Sequence, residues 1–320
     1  MSKKYLPLAA TIAVFLALFL VGGSMYRNFL STLVLGNILA DNAFIIIAAI
    51  GATFVILSGG IDLSIGSMIG FVGVCMAVLD SMGWHPLATA AVMICFGILY
   101  GALQGFIIDY CDIQPFIVTL AGLFLLRGLC FMVTLESVPI RHDFVDLYAS
   151  AKLPLPGRGV LRSSAIVMLA ALALAIFIAH FTRFGNNVYA IGGDKESARL
   201  MGINVRRTTV GIYAIGGFYS ALAGVVYALY TSSGYPLAGS TLELSAIAAV
   251  VLGGTLLTGG VGMVAGTLFG GMILGLISTL IIFHGSLNSA WIMISSGVLL
   301  FAFIVLHRFL VSSFDLRGTS

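Results

Sequence analysis

The sequence predicts an all-α, polytopic membrane protein of about ten transmembrane helices, and three observations carry that prediction. Of its 320 residues 60% are apolar and only 8% are charged, whereas a soluble domain carries roughly 25% charge. The apolar residues fall in ten runs, at 5–23, 38–58, 63–81, 86–108, 115–134, 164–182, 210–232, 244–260, 263–283 and 289–309. Most of these approach the ~20 residues a helix needs to cross a hydrocarbon core. They are also about double the length of a barrel strand, and backbone groups in hydrocarbon must be satisfied within the segment, so the runs are predicted as helices.

The chain is read as a single membrane domain over 1–320. Lys3 and Lys4 before the first run could mark a signal peptide, but the run is long for one and no small-residue cleavage site follows, so an uncleaved first span is expected. Ten crossings put both termini on one side. Lys3, Lys4, Arg183, Lys195, Arg199, Arg206, Arg207, Arg308 and Arg317, nine of the fifteen basic residues, then share that side, which the positive-inside tendency makes cytoplasmic.

Two connecting segments are long enough to carry function. The external one, 135–163, is rich in Pro and charge and is expected to be irregular. The internal one, 183–209, reads RFGNNVYAIGGDKESARLMGINVRRTT and holds the densest charge in the chain. Within it, 194–201 has the pattern of a short amphipathic helix capped by Asp194 after the Gly192-Gly193 break.

Segment 46–70 aligns without gaps onto 246–270, at an offset of 200, with eight of 25 residues identical, four of them in Gly59/Gly259, Gly60/Gly260, Gly66/Gly266 and Gly70/Gly270. Glycine-interrupted apolar repeats point to a transporter's substrate pathway. Glycines spaced by four, at 97, 101 and 105 and at 262, 266 and 270, read instead as faces for close helix packing.

The chemistry the sequence excludes is as informative. The nearest approach to a phosphate-binding loop, GGVGMVAG at 259–266, lacks the Lys and Ser/Thr that would meet phosphate and magnesium, so no ATP site of its own is expected. No catalytic motif stands out, and no zinc pattern joins Cys75, Cys95, Cys111 and Cys130. The scattered basic residues do not form the stripe that nucleic acid requires. Ionisable and polar groups inside or beside apolar runs are functional candidates because burying them is costly. These are Asp41, Asn42, Asp62, Ser64, Gln104 and Glu243, although Asp62 could also be a helix N-cap and the others interfacial or interhelical hydrogen bonds. Their scarcity argues against a proton relay.

With these residues in view, the chain resembles the permease subunits of sugar ATP-binding cassette importers of the ribose, xylose, arabinose and galactose type, and most of all the galactofuranose permeases. The matching stretches are GGIDLSIG at 59–66, GALQGFIIDYCDIQPFIVTLAGLFLLRG at 101–128, YAIGGDKESARLMGINV at 189–205 and ELSAIAAVVLGGTLLTGGVGMVAGTLFGG at 243–271. The resemblance implies a second permease copy or homologous permease, a periplasmic sugar-binding protein, and an ATP-binding subunit, often two fused domains, that holds the ATP and Mg. It also implies that Gly192, Gly193, Asp194, Glu196, Ala198, Arg199, Leu200 and Gly202 form the segment that couples to that subunit. Gln104, Ala121, Ser245 and Ser278-Thr279-Leu280 depart from the family pattern, which leaves the sugar open. A stand-alone channel or secondary carrier for a small polar solute is the main alternative, and a membrane-embedded enzyme the second.

Overall fold

The structure is a computed structural model that describes residues 6–285 and 290–315. Lys3, Lys4 and Arg317, used above to orient the chain, lie outside the described residues. The described chain runs α1 (Leu6–Met25), α2 (Thr32–Asp41), α3 (Ala43–Leu57), α4 (Ile65–Ser81), α5 (Pro86–Tyr110), α6 (Pro115–Val133), β1 (Val138–Pro139) and α7 (Asp143–Ser150). It continues through β2 (Lys152–Pro154), β3 (Val160–Arg162), α8 (Ser163–Phe181), α9 (Arg183–Gly193), α10 (Lys195–Leu200), α11 (Val205–Thr231), β4 (Ser233–Gly234), α12 (Leu242–Leu252), α13 (Val264–His284) and α14 (Ala290–Asp315).

Helix boundaries follow local chemistry. Pro86 and Pro115 occupy the first turns of α5 and α6, where a missing N–H costs nothing. The His85 side chain accepts from the Leu87 amide at 3.2 Å to complete the α5 cap. Asn204 accepts from the Arg207 amide at 3.0 Å and starts α11 five residues before the apolar run, so the charged stretch 205–209 is helical. α3 is buried on every side from Ile46 to Leu57, as the central rod of the bundle must be. α5 lies along α11 through the glycines spaced by four: Gly97 faces Gly217 and Ala221, Gly101 faces Tyr213 and Gly217, and Gly105 faces Thr209 and Val210. That is the close backbone approach small residues permit.

Six of the described helices, α1, α5, α6, α8, α11 and α13, are long and apolar enough to cross a membrane. A seventh arises if α2 and α3 are counted together, though they are bent by 59° at Asn42. The ten runs of the sequence therefore do not become ten full-length helices. The run at 38–58 is broken by Asn42, and the run at 244–260 stops at Leu252, where two glycines end α12 after eleven residues. α4 is cut to seventeen residues by the turn before it.

The segment 135–163, expected to be irregular, contains α7 and the antiparallel pair β2–β3, while β1 pairs with β4. The His142 side chain caps α7 by accepting from the Phe144 amide at 3.1 Å. This capping role was hidden in a stretch whose Pro and charge content suggested only a loop.

Candidate functional site

At the end of α3 the Gly59-Gly60 pair turns the chain. Gly59 adopts φ +81°, which glycine reaches without strain, and residues 60–64 run non-helically into α4. Asp62 spans this turn: one carboxylate oxygen accepts from the Ser64 amide at 2.8 Å and from the Ser64 hydroxyl at 2.7 Å. Ser64, not Asp62, is the α4 N-cap residue. Gln104 of α5 donates to the Ser64 hydroxyl at 3.2 Å and to the Tyr100 phenol at 3.4 Å, and Thr119 of α6 donates to the Ile61 carbonyl at 3.3 Å. Asp62, Ser64 and Gln104 are 5%, 3% and 4% exposed. Tyr213 of α11 completes the wall; its phenol lies over Gly60 and has no hydrogen-bond partner among the described residues. Gly122 of α6 leaves the room that the Gln104 amide and Tyr100 phenol occupy. The result is a buried cluster of hydrogen-bonding groups assembled from three helices and one turn.

On the other flank of α4, the chain after β4 runs down the helix without being helical itself. Gly234 packs on the Gly73 carbonyl, Ala238 approaches Gly70 and Gly239 packs on the Gly66 carbonyl. Non-helical backbone of this kind is tolerated within a membrane protein only where other protein groups satisfy it. Arg127 of α6 does so, its guanidinium donating to the Pro236 carbonyl and, at 2.8 Å, to the Ala238 carbonyl. Glu243 follows in the first turn of α12, where a carboxylate is favoured by the helix dipole. Its side chain lies against Gly66, two residues along from Ser64, and its Oε2 has no hydrogen-bond partner among the described residues.

The second glycine turn, 253–263, sits where α12 gives way to α13. It touches the first: the Gly260 amide donates to the Leu57 carbonyl at 2.8 Å, and Gly259 approaches the backbone of Gly59. A cavity of about 570 Å³ opens beside it, lined in part by His180, Asn186, Tyr189 and Gly260. The Tyr189 phenol donates to the Gly262 carbonyl at 3.1 Å, and burial pushes its pKa up to about 12, so it remains a donor at neutral pH.

The third element is the pair α9 and α10. Asp194 is the N-cap of α10, accepting from the Ser197 amide at 2.6 Å. Hydrogen bonds from the Ser197 side chain and backbone hold its carboxyl below the ordinary carboxylate range. Gly202, at φ +82°, ends the helix, with the Gly202 amide on the Arg199 carbonyl and the Ile203 amide on the Ala198 carbonyl. Ala198 is buried against Ile191 and Val205, whereas Leu200 and Met201 project, 87% and 69% exposed, beside the exposed Glu196–Arg199 pair at 3.5 Å. The segment is tied back by Asp109, at the end of α5, whose 3%-exposed side chain meets Lys195 at 3.0 Å and Arg206 at 3.9 Å. Arg206 also lies over the Tyr110 ring, 5.1 Å from its centre, an arrangement favourable for a cation.

The structure thus unites Asp62, Ser64 and Gln104, and places Glu243 on the neighbouring flank of α4. Asp41 and Asn42 go elsewhere. Asp41 is exposed and accepts from the Tyr230 phenol at 3.1 Å; Asn42 donates to the Ile38 carbonyl at 2.8 Å and packs on Gly275 at the α2–α3 bend. The length of α3, about 22 Å at 1.5 Å per residue, separates that bend from the first turn. Arg127, Asp109, Tyr100 and Tyr213 escaped the sequence reading. An arginine thirteen residues into a nineteen-residue apolar run was the one signal that could have found Arg127.

Comparison with known proteins agrees with this architecture. Residues 34–304 match the model of the family described as branched-chain amino acid transport system, permease component. The inner membrane ABC transporter permease protein YjfF of Escherichia coli K12 is 50% identical over all of this chain and 97% of its own. The ribose import permease protein RbsC of the same strain is 35% identical over 95% of both chains. The xylose transport system permease protein XylH is 33% identical over 85% of this chain and 83% of its own. No solved structure matches. With a match across most of its length, helices fit to cross a membrane and buried polar groups around the turn between α3 and α4, the chain belongs to this family of membrane-embedded transport permeases.

Proposed function

We propose that the chain is the permease subunit of an ATP-driven importer that carries a monosaccharide across the bacterial inner membrane, with galactofuranose the first sugar to test. The observation that carries the reading is that three parts meet: a buried polar cluster at the glycine turn between α3 and α4, a second glycine turn beside a cavity, and a capped, partly exposed helix pair at the same end of the bundle. Discontinuous helices with polar groups at their breaks are how transporters expose binding atoms within a membrane. The cluster presents mostly neutral donors and acceptors, from Ser64, Gln104, Tyr100 and Tyr213, which suits a polyhydroxylated neutral solute better than a zwitterionic amino acid. A cavity of about 570 Å³ is within the range that small-molecule sites occupy. Relatives named for ribose and xylose support a sugar over the amino acid in the family's description.

In this reading α10 is the contact for an ATP-binding subunit, through Leu200, Met201, Glu196 and Arg199. That subunit holds the ATP and Mg, and a periplasmic sugar-binding protein docks on the face bearing α7. A second permease copy or homologous permease completes the passage. Both termini are cytoplasmic, and the reading of ten crossings counts the non-helical segment 235–241, which runs alongside α4, together with α12, which packs on α3 and α13, as one of them. The test is uptake into vesicles holding the assembled transporter with Glu196→Lys or Arg199→Glu. Each is expected to lower sugar uptake and its coupling to ATP hydrolysis, and full uptake and coupling in both variants would reject the assignment of α10. A purified chain that takes up solute without an ATP-binding subunit would favour a channel or secondary carrier instead.

A further inference from the structure

Gly192 and Gly193 belong to one motif in the sequence, but the structure gives them different surroundings. A side chain at Gly193 would meet nothing within 4 Å. A Cβ at Gly192 would overlap the Leu57 carbonyl oxygen and come within 2.5 Å of the Gly260 amide nitrogen. These are the two atoms that join the first glycine turn to the second, at 2.8 Å. The last turn of α9 therefore bears on the backbone hydrogen bond that links the two turns, at a point five residues before Asp62 and two residues before Gly262. Gly259 and Gly260 close the same contact from the other side, each approaching the Gly192 carbonyl at 3.0 Å from the position a Cβ would take.

We propose that Gly192 is the positioning residue through which movement of α9 and α10 reaches the substrate passage, by pressing on the Leu57–Gly260 bond and so changing the spacing of the two turns. This rests on the reading of α10 as the contact for an ATP-binding subunit, but adds to it a specific transmission point, at which Gly193 contributes backbone against Gly260 while its Cβ position stays open to a side chain. The mechanism needs close backbone contact, because a backbone-to-backbone junction transmits a displacement of a few tenths of an ångström that a flexible side chain would absorb. α9 and α10 are well placed to move as a unit, since Ala198 of α10 packs on Ile191 of α9.

The experiment compares wild type, Gly192→Ala and Gly193→Ala in the complete transporter reconstituted with its ATP-binding subunit and binding protein, measuring sugar taken up per ATP hydrolysed. The ratio is expected to fall about tenfold or more in Gly192→Ala, with the ATP-binding subunit still co-purifying, and to stay near wild type in Gly193→Ala. An unchanged ratio in Gly192→Ala, or equal losses in both variants, overturns the proposal. Should Gly192→Ala fail to assemble, hydrogen exchange on the wild-type complex decides. Addition of a non-hydrolysable ATP analogue is expected to change the protection of the Gly260 amide, and unchanged protection overturns the proposal. Failure of the wild-type chain to bind an ATP-binding subunit would instead defeat the reading of α10 itself, so the two failures are separable.

Discussion

The two glycine turns, 58–64 and 253–263, share a local plan, a helix ended by glycines followed by non-helical backbone and a second helix, yet they hold opposite chemistry. At the offset of 200, Asp62 corresponds to Gly262 and Ser64 to Val264. The first turn works through side chains, which form a buried network reaching Gln104 and Tyr100. The second works through backbone: its Gly260 amide binds Leu57, its Gly262 carbonyl binds Tyr189, and the buried Thr255 hydroxyl has no hydrogen-bond partner among the described residues. Two glycine-rich turns thus present different faces, a network of side chains in the first and backbone groups freed by four positive-φ glycines in the second. Side-chain networks hold fixed positions because every lost partner is costly, whereas glycine backbone can approach closely and shift.

The most severe break of this comparison is Asp62→Ala. It strands the Ser64 amide in a buried site and leaves the Ser64 hydroxyl to Gln104 alone, a loss of about 1–3 kcal/mol. Sugar uptake in vesicles is expected to fall about tenfold or more, the factor that ~1.4 kcal/mol represents. Wild-type uptake in that variant would remove the first turn from the passage.

Next in size is Asp109→Ala, which leaves Lys195 and Arg206 without their shared carboxylate. Thermal unfolding in detergent is expected to show a loss of about 1–3 kcal/mol. Lys195→Ala should cost less, because its charge is half-exposed and screened and Asp109 keeps Arg206. A double-mutant cycle that found no coupling between Asp109 and Lys195 would show that the tie between α5 and α10 is not energetic.

A finer contrast pairs one hydroxyl from each turn. Ser64→Ala removes a hydroxyl that both donates and accepts, and about 1 kcal/mol of stability should go with it. Thr255→Val replaces an unpartnered buried hydroxyl by a methyl of similar shape and should be neutral or slightly stabilising. Equal losses in the two unfolding curves would erase the distinction between the turns.

The smallest effect concerns α10 and pH. The Asp194 carboxyl titrates below its ordinary range because Ser197 donates to it. Its stabilisation of the helix is therefore complete above the unfolded-state pKa and is lost as pH falls through the lowered folded value. Exchange of the Ser197 amide should stay slow at neutral pH and quicken only below the ordinary carboxylate range. Asp194→Asn, which still offers an acceptor, should flatten that dependence.

Much of this arrangement could be read from residue order. The apolar runs gave the membrane bundle, glycines at spacing four marked a packing face on α5 without naming its partner α11, and Asp194 marked the start of α10, because each depends on neighbours in sequence. The pairing of Asp62 with Ser64 was equally local. What escaped depends on contacts between distant segments. Tyr213 looks like one more aromatic in a span until Gly60 is placed beneath its phenol, and Arg127 gains its purpose only from carbonyls 109 and 111 residues away. The helix α9 was missed because three glycines and two asparagines lower its propensity, while Thr182 caps it by accepting from the Gly185 amide at 3.2 Å and packing holds it in place. Asp41 and Asn42 were drawn into the candidate set by polarity alone, and polarity also serves a helix bend.

If an ATP-binding subunit drives this chain, sugar uptake into sealed vesicles depends on that subunit. The complete transporter with ATP inside the compartment facing α10 is expected to accumulate radiolabelled monosaccharide, and the same vesicles lacking the ATP-binding subunit are expected to take up none. Uptake at the same rate with that subunit omitted would contradict the account.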